Sequence, residues 1–100
     1  MEKCLAEEIG LPAMLENTAE ECVELAQVCL KYARKLRGEN PTPANEYDIR
    51  MNLLEELADV EVMVDELYKS PDFPLARGDI LTTKYRKRQR FNNRVKETKK

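Results

Sequence analysis

The chain contains no histidine. Without imidazole there is no His general base, no Ser–His or Cys–His nucleophile, and no zinc site that needs His ligands. The same absence argues against a di-iron helical bundle, which takes Glu-x-x-His from two of its helices. The cysteines are few: Cys4, Cys22 and Cys29 form no CxxC and are odd in number. They read as reduced thiols of a cytoplasmic protein, with Cys22 and Cys29 as small core residues on one apolar helix face. Tryptophan is absent and glycine numbers only three, two of them where helices would start or stop. No alternating apolar run appears, so strands have no support. No segment reaches transmembrane length, and the opening MEKCLAEEIG is acidic and lacks a signal-peptide core, so no membrane partner is expected.

What remains is a charged, aromatic-poor chain of 100 residues, the composition of an all-α protein with wet outer faces. We expect a single domain over 1–100, a small bundle of about four helices. Apolar residues on more than one helix face point to burial beyond one copy, hence a homodimer or homotetramer. The net charge of −2 hides an asymmetry. Residues 1–72 carry 7 Lys/Arg and 17 Asp/Glu, whereas 73–100 carry 10 and 2. The basic helix or tail over 79–100 is solvated, or contacts nucleic acid, or folds back on an acidic site. The acidic remainder makes nucleic acid the less favoured partner.

Local signals set the helices. Residues 2–9 form a short helix ending at Gly10. Leu11-Pro12 opens a long one, with Pro12 tolerated in the first turn, and Gly38 stops it after Arg37. Its apolar set includes Leu15, Cys22, Val23, Cys29, Leu30 and Leu36. GENPTPAN (38–45) is a turn-rich loop. Asn45 caps a third helix that runs to Lys69, with Asp48 in its first turn. A second loop, Ser70 to Ala76, leads to a last helix starting at Asp79.

Two carboxylate pairs stand out, Glu21 with Glu24 and Glu56 with Asp59, each spaced i, i+3 on one side of a helix. At about 100° per residue, Glu21 falls in a stripe with Met14, Val28 and Tyr32, and Glu56 in one with Ile49, Val60, Met63 and Leu67. A bare buried carboxylate costs several kcal/mol, so an acid in such a stripe needs a cation. Four acids on two helices could hold a hard divalent ion. Two plainer readings remain. Thr18-Ala19-Glu20-Glu21 matches a capping box, and Glu56 could pair with Arg or Lys at a helix crossing. Lys31 lies two turns beyond Glu24 at a similar angle, as a phosphate contact or a solvated lysine. On the last helix, Lys84 and Arg88 share the stripe of Ile80, Leu81, Phe91 and Val95. Cations on an apolar stripe either snorkel or meet an anion such as a phosphate.

The strings EECVE (20–24) and ELAD (56–59), with their helical contexts AEECVELAQVCLKYAR and NLLEELADVEVMVDEL, resemble the ExxE…ExxD signature of MazG-like all-α nucleoside triphosphate pyrophosphohydrolases. The resemblance covers residues 12 to 95. KYRKRQRFNNRV is similar to the Lys/Arg-rich final helix of short members. The resemblance implies that Glu21, Glu24, Glu56 and Asp59 bind Mg²⁺, with Mn²⁺ an alternative. It also implies that Glu20 orients or deprotonates the attacking water and that Lys31 holds phosphate. The implied reaction cleaves a nucleotide between its α and β phosphates. Phosphoribosyl-ATP pyrophosphohydrolase shares a similar core and is the close alternative. A non-enzymatic helical module with a nucleic-acid-binding tail is the distant one. The stretch between Glu24 and Glu56 is longer than in many members. The chain also lacks the tryptophan on which several stack the base, so no base-binding residue is implied.

Overall fold

Four helices account for the regular structure of the computed structural model, which describes residues 4–38 and 45–99: α1 (Leu5–Ile9), α2 (Leu11–Arg37), α3 (Glu46–Lys69) and α4 (Arg77–Thr98). No strand occurs among the described residues, and no helix there is long and apolar enough to cross a membrane. Gly10 separates α1 from α2 at φ +84, a conformation that suits a residue without Cβ. Gly38 closes α2 in the left-handed region at φ +68, its N–H reaching the Arg34 and Lys35 carbonyls at 3.0 and 3.3 Å. Asn45 caps α3: its Oδ1 accepts from the Asp48 N–H at 2.9 Å while its Nδ2 donates to the Asp48 carboxylate at 3.1 Å. Most of the loop expected over 38–45, and the first residues of the expected 2–9 helix, lie outside the described residues.

The last helix begins at Arg77, two residues before the expected start. Asp79 is not its cap but sits in its first turn, with its N–H bonded to the Ala76 carbonyl at 3.0 Å. An acid in the first turn favours a helix N-terminus as well as a cap does, and the sequence cannot separate the two.

α2 and α3 pack as an antiparallel hairpin, with α1 folded across one end. There Met14, Ala6 and Leu67 are buried together, with Leu11, Met63 and Phe73 against them. Toward the other end Ile49 is buried beside Val28. The acids of interest lie between these two apolar ends.

The stripe of α2 that meets α3 is the one containing Met14, Glu21, Val28 and Tyr32. The other apolar set on α2 faces out: Leu15, Val23, Leu30 and Leu36 are exposed, and so are Cys22 and Cys29. The two cysteines are therefore not core residues within one chain. Periodicity finds both faces but does not say which one turns toward α3.

α4 stands apart. Its root is held where Arg77 pairs with Asp65 at 3.2 Å and lies over the Tyr68 ring, which meets Phe73 edge-on. Beyond that it packs along no other helix, and no residue of it is buried. An open groove of about 390 Å³ separates it from α3. The radius of gyration is 17.5 Å, against about 13 Å for a compact chain of this length.

Candidate metal centre

The hairpin brings Glu21 and Glu24 of α2 to Glu56 of α3, with one carboxylate oxygen from each within 4.8 Å of the others. Helix periodicity dictates this. Glu21 sits on the stripe that meets α3 and Glu24 on its flank, while Glu56 answers from the equivalent stripe of α3. Glu21 and Glu56 are partly buried and Glu24 is exposed, so the cluster is open on one side. One oxygen of Glu21, Oε2, and one of Glu56, Oε2, are buried without a hydrogen-bond partner.

The electrostatics follow from that crowding. Burial, then the charges of Glu24 and Asp59, push the Glu21 carboxyl up to about 7 from its ordinary 4.5. Burial and then Glu24 and Asp59 raise Glu56 as well. The charges acting on Glu21 are all negative. Glu66 offers a contrast: it too has a buried, unpartnered oxygen, but its other oxygen receives the Lys69 ammonium at 3.3 Å. Glu21 and Glu56 have acids where Glu66 has a cation. A carboxylate set with unfilled oxygens, no imidazole and no thiolate suits a hard, oxygen-loving divalent ion, so the donors fit magnesium or manganese.

The remaining sequence-derived residues divide. Asp59 is exposed at the rim, where its charge acts on both Glu21 and Glu56, but it is outside the set of three close oxygens. Lys31 lies two turns along α2 from Glu24 and lines a small cleft of about 210 Å³ with Gln27, Val28, Ile49 and Asn52. Glu20 is exposed and lines a shallow outward groove with Ala19, Val23, Glu24 and Gln27. Lys84 borders the α3–α4 groove beside Glu61 and Asp65, and Arg88 lies farther along α4 by Phe91. Neither is brought to the acid cluster within one chain.

The capping box is absent. Thr18 lies inside α2 and its hydroxyl donates to the Met14 carbonyl at 2.7 Å, leaving Glu21 free of that role. Gln27 escaped the sequence reading, although it borders both the Glu20–Glu24 groove and the Lys31 cleft. Its i, i+3 and i, i+4 spacing from Glu24 and to Lys31 was the available signal. Comparison with protein-family models, with curated proteins and with solved structures finds no match for this chain.

Proposed function

We propose that this protein is a Mg²⁺-dependent nucleoside triphosphate pyrophosphohydrolase, acting as a homodimer or homotetramer, that releases a nucleoside monophosphate and pyrophosphate. The observation that carries the reading is the pair of buried, unpartnered oxygens on Glu21 and Glu56 beside Glu24. Buried acids without cations are costly in a domain with so small a core, and a divalent ion supplies what they lack. The resemblance of EECVE and ELAD to the pyrophosphohydrolase signature gives the reaction class.

Glu21, Glu24 and Glu56 would hold the ion, with Asp59 at the rim. When bound, the ion supplies Lewis-acid neutralisation of phosphate charge and a more acidic water. The chain's own groups do the rest. Lys31, beside Asn52, would take charge from the phosphate oxygens. Glu20 faces solvent next to Glu24, where its carboxylate would orient the incoming water. Lys84 and Arg88 would reach the phosphates only if α4 of the same or another copy comes to the cluster. Hydrolysis at phosphorus needs positioning and charge neutralisation more than a protein nucleophile, so a chain without histidine suffices.

A second reading, a nucleic-acid-binding helical module, is favoured by one observation: α4 is basic and exposed along its length. A panel of nucleoside triphosphates and phosphoribosyl-ATP, assayed with Mg²⁺ for pyrophosphate, separates the two. Turnover of one substrate class supports the enzyme. Salt-sensitive binding of duplex DNA with no turnover supports the module.

A further inference from the structure

The outward face of α2 is built like half of an interface. Leu15, Ala19, Cys22, Ala26, Cys29 and Ala33 follow one another in alternating steps of four and three, and Leu36 closes the row. That spacing averages 3.5 residues, the repeat of a coiled-coil seam. All but Ala33 are exposed, with Leu15 at 48% and Leu36 at 66%. Among the described residues nothing covers this face: α3 takes the stripe of Met14, Glu21 and Val28, and α4 packs along neither helix. Beside the row, one residue past Leu15, Cys22, Cys29 and Leu36, lie Glu16, Val23, Leu30 and Arg37: an acid at one end, a cation at the other and two exposed apolar residues between.

We infer that α2 pairs antiparallel with α2 of a second copy of this chain, seam on seam. In an antiparallel pair this flank meets itself, with Glu16 of each helix near Arg37 of the other and Val23 near Leu30; a parallel pair brings neither match. It is also the arrangement a two-fold axis generates, with the same patch used by both copies. The small side chains in the middle of the row let the two backbones approach closely, and Leu15 of one copy packs near Leu36 of the second. The pairing covers the exposed leucines of α2 and gives a thin molecule, whose extents are 49 × 37 × 19 Å, a second layer. It rests on the exposure and charge order of α2 and not on the metal reading, so either can fail alone.

The seam carries its own probe. With the ends matched, Cys22 lies beside Cys29 of the second copy, while like cysteines are offset by about 10 Å along the axis. In a Cys4→Ser background, a short bismaleimide should give a band at twice 11.6 kDa. Cys22→Ser and Cys29→Ser, each alone, should abolish the band, and mixing the two single variants should restore it. Ala26→Arg, at an exposed position, should keep the helical circular dichroism and shift the light-scattering mass from twice 11.6 kDa to the single chain. A wild-type mass of 11.6 kDa at micromolar concentration would overturn the inference. Efficient crosslinking in either single-cysteine variant, the mark of parallel pairing, would do the same. So would an Ala26→Arg protein that stays dimeric.

Discussion

Glu21 on α2 and Glu56 on α3 each bury an oxygen that no donor meets, and each places an oxygen within 4.8 Å of the other and of Glu24. Two acids so placed are unsatisfied in the protein alone. Their behaviour with pH and with divalent ions is therefore the natural place to look for consequences.

The first concerns pH. The Glu21 carboxyl titrates at about 7 in the folded chain against 4.5 ordinarily, so between these values the folded state holds a proton that the unfolded state has released. This group's contribution to stability is full below about 4.5 and is lost as pH rises through about 7. Without divalent ions, melting curves should show the wild type losing stability from pH 5 to pH 8 relative to Glu21→Gln. Mg²⁺ should stabilise the wild type at pH 8 and do little at pH 5, where protons compete for the same oxygens. A wild type and Glu21→Gln that change in parallel with pH would contradict the coupling.

The second concerns turnover. Glu56→Gln keeps the size of the side chain and removes its charge. Its circular dichroism should match the wild type, while pyrophosphate release should fall by at least about 100-fold, since even the partners of metal ligands are worth 10–100-fold. Wild-type kcat/KM in this variant would remove Glu56 from the site.

Cations can be ranked in one experiment. Lys31→Ala should raise KM about tenfold, the loss of one charge-assisted contact. Arg88→Ala should have a comparable effect only if α4 reaches the cluster in the assembled protein. Lys99→Ala, at the far end of α4, should change little. Equal and small effects at all three would return them to solvated roles.

The hairpin itself is tested at two places. Met14 is fully buried where α1, α2 and α3 meet. Met14→Ala should cost about 2–5 kcal/mol, comparable to the whole stability of a small domain, and leave much of the chain unfolded at 37 °C. Asn45→Ala removes the α3 cap and should cost about 1 kcal/mol, read as a drop in urea midpoint with unchanged slope.

The helices and the three close acids are legible because local chemistry decides them. Gly38, Asn45 and the Pro12 start each act within a few residues, the stripes around Glu21 and Glu56 put those acids on the faces that meet, and the i, i+3 spacing carries Glu24 with Glu21. Cys22 and Cys29 were misplaced because α2 has two apolar faces, and which one turns inward depends on α3, far along the chain. The start of α4 slipped because Asp79 serves a first turn as readily as a cap. Gln27 was missed because a neutral amide between acids and a lysine carries no mark until the cleft it borders is seen.

Calorimetric titration of the wild type and Glu56→Gln with Mn²⁺ at pH 8 addresses the central claim most directly. The account predicts a saturable site in the wild type that Mg²⁺ displaces and that Glu56→Gln lacks, at unchanged helicity. No saturable binding to the wild type, or the same binding in Glu56→Gln, would contradict it.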